Sequence, residues 1–178
     1  MFFKEYSFVG KHAKYVQELT DKYKIENNEG VSIFNRNIDV YIFASIVGCV
    51  YGKRSEIDKS LEYSNIIKKI ATSQLLPEAD RIIHCYEMLM LLHNKNEDDI
   101  NTRIERAFKY HNRDEKYKKE CFDIFNSYIL GGVEILHEKI IAEGRELEDF
   151  MLNLYDFIEE FNIKYNKSLD DDEFRISI

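Results

Sequence analysis

Glu134-Ile135-Leu136-His137 sets a carboxylate and an imidazole three residues apart, the interval at which one helical face can offer both to a single metal ion. Carboxylate-bridged di-iron bundles use that motif twice, with a further glutamate from each of the other two helices. Here it occurs once, and Val133, Leu136 and Ile140 make the neighbouring stripe apolar. His137 therefore reads as a helix-edge side chain, and no metal ligand set is predicted. Gly48-Cys49-Val50-Tyr51-Gly52-Lys53-Arg54 has the outline of a phosphate-cradling loop, in which backbone N–H groups hold phosphate oxygens while a Lys and a hydroxyl meet charge and metal. Three residues separate its glycines where four are required, and Arg54 stands where Ser or Thr belongs. The plainer reading is a helix ended by Gly52, with a basic corner at Lys53 and Arg54.

His84 and Glu87 form a second polar pair at helical spacing, read as a buried, hydrogen-bonded couple. Cys85 follows His84 directly, but adjacent residues on a helix point in different directions, so a thiolate–imidazole pair is not expected there. A metal-dependent nuclease would use Glu-x-Lys, and the chain has none. No catalytic residue and no cofactor is predicted.

The strongest surface signal lies between Arg103 and Lys119. Arg103, Arg106, Lys109, Arg113, Lys116, Lys118 and Lys119 face only Glu105, Asp114 and Glu115, a local excess of 7 − 3 = +4. Such a patch could meet a nucleic-acid backbone or an acidic partner. The formal net charge of the whole chain is −8. That field opposes DNA and favours a protein partner.

These residues need a scaffold, and the composition points to helices. Seven Gly and one Pro in 178 residues are too few for the repeated tight turns of a sandwich or barrel. A hydrophobic fraction of 44% supplies one core. Helical periodicity is read from Val9 to Tyr23, from Ile38 to Tyr51 with Asn37 as its cap, and along Ile66–Leu76 up to Pro77. A further helix starts at Pro77 and runs to Leu92, apolar nearly all round between Ile82 and Leu92. Others follow from Glu97 to about Tyr110, from Asp114 toward Ala142 with a bend at Gly131-Gly132, and through Phe150, Leu154, Phe157, Ile158 and Phe161. Val31-Ser32-Ile33-Phe34 reads as a short strand or an extended connection, and the many β-branched residues of Ile38 to Tyr51 leave a buried strand as the alternative to a helix there. The prediction is a mainly α protein, a single-domain bundle of about six or seven helices over residues 1–168, followed by a mobile acidic tail over 169–178. Cys49, Cys85 and Cys121 are odd in number and in apolar company, and the N-terminus has no secretory pattern, so reduced thiols in a cytoplasmic protein are expected. The longest apolar run, Ile38 to Tyr51, is too short to span a bilayer.

Two stretches carry a resemblance. Asn37-Ile38-Asp39-Val40-Tyr41-Ile42-Phe43-Ala44-Ser45-Ile46-Val47-Gly48, followed by Gly52-Lys53-Arg54, resembles a pattern in small proteins associated with bacterial DNA phosphorothioation and related phage-defence islands. Tyr128-Ile129-Leu130-Gly131-Gly132-Val133-Glu134-Ile135-Leu136 is similar to a second pattern of the same proteins. Glu56 to Asn126 matches neither. The resemblance implies a non-catalytic accessory subunit of an antiphage complex, bound to a larger ATPase or nuclease. The alternative is a nucleic-acid-binding regulator using the helices over 103–119.

Overall fold

The computed structural model describes residues 4–25, 28–96, 98–142, 144 and 146–170. They fall into two compact units, Met1–His137 and Glu138–Ile178. The protein is mainly helical, and the strands among the described residues form two antiparallel pairs.

In the first unit, β1 (Tyr6–Val9) runs directly into α1 (Gly10–Thr20). The change of direction needs Gly10, which has φ +60, and a Cβ there would lie 2.6 Å from Asp58 Oδ2. Helix α1 ends three residues before the expected Tyr23, because Tyr23 is already in β2 (Tyr23–Ile25), paired antiparallel with β3 (Asn28–Val31). The strand expected over 31–34 is therefore present only at Val31, the last residue of β3. Phe34 instead returns to α1, its N–H donating to the Leu19 carbonyl at 3.0 Å.

Helix α2 (Asn37–Tyr51) spans the predicted apolar segment and ends at Gly52 in the left-handed conformation, φ +64. Asn37 is the first helical residue and not the cap. Its Nδ2 donates to the Lys69 carbonyl at 3.0 Å, while Arg36 precedes the helix and pairs with Asp39 at 2.6 Å. The amphipathic stretch after Arg54 is not a helix. Ile67–Ile70 forms β4, antiparallel to β1 with Tyr6 opposite Ile70, and only Thr72–Leu75 (α3) is helical. The two β-branched isoleucines of β4, with Ile66 just before it, favour the extended form once β1 offers an edge to pair with.

A 3₁₀ turn at Leu76–Glu78 holds Pro77 and leads into α4 (Ala79–Leu92). One face of α4, Ile82, Cys85, Tyr86, Leu89 and Met90, is buried, while His84, Met88 and Leu92 are exposed. The all-round apolar sequence thus produces a one-sided core helix, and His84 with Glu87 is not a buried couple. Asp99 caps α5 (Ile100–Phe108), accepting from the N–H groups of Asn101 and Thr102 at 2.9 and 3.1 Å. Helix α6 (Glu115–Ile140) is unbroken through Gly131 and Gly132. Aromatic edges tie the core together: Phe125 meets Tyr41 and Tyr86 at ring separations of 6.2 and 5.6 Å.

Those glycines admit close neighbours. A Cβ on Gly132 would fall 1.9 Å from the Ala44 carbonyl oxygen, one on Gly48 would fall 2.0 Å from that of Tyr128, and one on Gly131 would fall 2.1 Å from that of Lys53. Helices α2 and α6 cross backbone against backbone, at a separation only glycine permits. The two stretches that carry the resemblance are the two sides of this crossing.

In the second unit, α7 (Leu147–Asp170) buries Phe150 and Phe157. Asn153 Nδ2 donates to the Ile140 carbonyl at 3.0 Å, and Lys139 pairs with Glu160 at 2.7 Å. Met151, Leu152, Tyr155, Ile158 and Ile163 are exposed along the same helix. The helix carries on into the start of the segment read as an acidic tail, and residues 171–178 lie outside the described residues.

Candidate functional site

The α2–α6 crossing sets up what surrounds Glu134. The turn at Gly52 sends the chain back across α6: Lys53 N–H donates to the Gly48 carbonyl and Ser55 N–H to the Ser127 carbonyl, both at 2.9 Å. Two residues after Glu56 the loop reaches α1, where Asp58 Oδ2 accepts the Lys11 N–H at 2.8 Å. This carboxylate complements the positive end of the α1 dipole. Helix α1, the loop and α6 are thereby held around one point.

Glu134 is that point. Its Oε1 accepts from Lys11 Nζ at 2.8 Å, from His12 Nε2 at 3.1 Å and from the Ser55 hydroxyl, and Lys53 Nζ lies 3.6 Å from Oε2. Burial by itself would raise the carboxyl's pKa, but the bonds from Lys11, Ser55 and His12 outweigh it and hold the group at about 2. His12 is fully buried, and that burial lowers its pKa against the opposing pull of Glu134. The neutral imidazole therefore directs its Nε2–H at Glu134, leaving Nδ1 as an acceptor. That Nδ1 is buried and has no hydrogen-bond partner.

Glu134 and His137, the pair at metal-binding spacing, do not converge. His137 Nε2 bonds Glu18 at 2.6 Å, and its ring stacks on Tyr15 at 3.9 Å. Among the described residues no group of three His, Cys, Asp or Glu side chains could hold a metal ion. Cys85 and Cys121 are buried free thiols and Cys49 is half-buried, each with its pKa raised by burial, so none is a thiolate.

Next to the Glu134 network is a cavity of about 730 Å³ between β1, the Arg54–Lys59 loop and the Lys119–Leu130 face of α6. Arg54 is fixed at its edge: its Nε donates to Ser127 Oγ at 2.8 Å, and its guanidinium lies 5.7 Å from the centre of the Tyr128 ring. Asn126 Oδ1, buried and without a hydrogen-bond partner, belongs to the same wall.

The basic residues of 103–119 divide. Arg103 turns inward to donate to the Leu91 carbonyl at 2.9 Å, and Arg106 pairs with Asp98 at 2.8 Å with its side chain 13% exposed. Arg113 pairs with Glu105 and Lys118 with Glu115. Lys109, Lys116 and Lys119 remain exposed, Lys119 at the cavity. Of the basic corner, Lys53 faces Glu134 and Arg54 faces the cavity. The hub at Lys11, His12, Ser55 and Glu134 was not legible as a unit: Glu134 was visible, but its partners lie more than a hundred residues upstream or in a loop without periodicity. Gly10, which admits the Asp58 side chain, and Gly48, which admits the Tyr128 backbone, were the available signals of close approach there.

No helix among the described residues is long and apolar enough to cross a membrane. The family model described as DNA sulphur modification system-associated protein 4 matches residues 10–174. No curated protein and no solved structure matches the chain.

Proposed function

The chain belongs to the DNA sulphur modification system-associated protein 4 family, and we propose that it works as a non-catalytic adaptor in such a system, a cytoplasmic subunit of an antiphage complex that binds a larger ATPase or nuclease. The observation that carries this reading is the exposed apolar stripe of α7, where Met151, Tyr155 and Ile158 recur at helical spacing beside Leu152 and Ile163. Exposed large apolar residues in a contiguous row are the usual mark of a protein contact, and an amphipathic helix docks by such i, i+4, i+7 anchors. The Glu134 network supports the same reading from the other side. Lys11, His12 Nε2, Ser55 and Glu134 are engaged with one another, so they brace three segments.

The test is co-purification of the tagged chain from its native host with the other components of the modification system. The wild-type chain is expected to retain a large component of that system at salt near 1 M, where the Debye length is about 3 Å and surface charge contacts are screened. A Tyr155→Glu, Ile158→Glu double variant is expected to lose it while keeping its melting temperature. Retention of the same component by the double variant would remove α7 as the docking face. Recovery of DNA in place of protein, with affinity that falls steeply as salt rises, would favour the regulator over the adaptor.

A further inference from the structure

We infer that α7 docks onto a basic amphipathic helix of its partner, one whose apolar anchors are interleaved with Lys or Arg; this rests on the reading of α7 as the docking face. The exposed side of α7 is not uniformly apolar. At about 100° of turn per residue, Glu148 and Glu159 lie between the row Met151, Tyr155 and Ile158 and the row Leu152 and Ile163, and Asp156 borders the second row. All three carboxylates are exposed, and none of them is in an ion pair among the described residues. Between Leu147 and Ile163 the sequence of the helix has no Lys or Arg to offset them.

That arrangement selects what can cover it. Under a purely apolar surface the carboxylates would be desolvated without a partner, so the covering surface must bring cations to Glu148 and Glu159. These two stand 159 − 148 = 11 residues apart, about 16 Å along the axis. A partner helix running beside α7 meets both with cations about three turns apart. A helix fits better than an extended segment, because Met151, Tyr155 and Ile158 follow the i, i+4, i+7 ridges along which helices interdigitate. A second copy of the chain does not fit. Laid antiparallel it brings Glu148 against Glu159, and laid parallel each acid meets its own counterpart. Nucleic acid and an anionic lipid surface meet the same repulsion.

The experiment is fluorescence anisotropy of two synthetic helical peptides against the full chain at about 0.15 M salt. Both peptides carry the same leucine heptad pattern, one with Lys and the other with Glu at the flanking positions. The Lys peptide is expected to bind below about 100 μM, and the Glu peptide at least about tenfold more weakly. A Glu148→Lys, Glu159→Lys double variant is expected to exchange the two preferences. Glu56→Lys, Glu120→Lys makes the same change in net charge at two exposed acids of the first unit, and is expected to keep the wild-type order. Glu148 is in the first turn of α7, where a Lys opposes the helix dipole. If that variant does not fold, Asp156→Lys, Glu159→Lys is read in its place. Failure to bind the Lys peptide, equal affinity for both peptides, or a Lys preference that survives the reversal overturns the inference. So does a wild-type dimer in sedimentation that Tyr155→Glu, Ile158→Glu dissolves. In the co-purification, loss of the partner by Tyr155→Glu, Ile158→Glu with retention by Glu148→Lys, Glu159→Lys sinks the basic partner and spares the docking face, whereas retention by both removes the docking face itself.

Discussion

Glu134 shows how far one side chain's surroundings decide its chemistry. A carboxyl with an ordinary value of 4.5 is held at about 2 in the folded chain. The unfolded state therefore binds the proton more readily, and the stabilisation is complete above about pH 5 and is lost as pH falls toward 2. The gap corresponds to at most about 3 kcal/mol. Urea unfolding of the wild-type chain is expected to show a midpoint that drops between pH 5 and pH 3, and Glu134→Gln to be less stable at pH 7 with a flatter dependence over that interval. Equal slopes for the two proteins would show that the carboxylate is not what couples the segments. Motif spacing picked out Glu134 but offered only His137 as a neighbour, since spacing along one helix reports only neighbours on that helix. The residues that claim it, Lys11, His12 and Ser55, are brought by tertiary structure.

At the level of elements, the crossing of α2 and α6 makes the sharpest prediction. Gly48→Ala and Gly132→Ala each drive a methyl group into a carbonyl oxygen, and the helices must move apart. Each is expected to cost more than about 3 kcal/mol, and the pair to cost less than the sum, because one separation relieves both. Gly52→Ala meets open space and pays only for its left-handed backbone, about 1 kcal/mol. Chemical denaturation of the three variants orders them. Helix α2 with its Gly52 stop, the Pro77 break and the Asp99 region were legible because apolar periodicity and punctuating residues coincide there. The Ile66–Leu76 stretch was misread because isoleucines at positions 66, 67 and 70 suit either a helix or a strand, and the deciding partner, Tyr6–Val9, is about sixty residues away. The contact made at Gly131-Gly132 was not legible, because a glycine pair looks the same in sequence whether it bends a helix or admits a neighbour.

For the molecule as a whole, charge sets the expectation toward DNA. Arg103, Arg106, Arg113 and Lys118 are engaged with neighbouring groups, Arg113 while still exposed, leaving Lys109, Lys116 and Lys119 as the exposed cations outside those pairs. Three phosphate contacts correspond to a log–log salt slope of about −2.7 on duplex DNA, against about −6 for all seven. A binding titration across salt is expected to show the shallower slope or no binding, and a slope near −6 would mean that the internal pairs open on contact with DNA. Overall helicity was readable from composition alone, whereas the placement of charge was not, because a run of basic residues in sequence does not say which of them turn inward. The bracing of Lys11, His12 and Ser55 by Glu134 has a further bearing on how the protein is made. A ribosome delivers the first helix and its loop long before it delivers the residue that clamps them, so the amino-terminal segment must wait for most of the first unit to be synthesised. A nascent chain halted before position 134 is expected to leave that segment open to protease, and one released beyond α6 to close it.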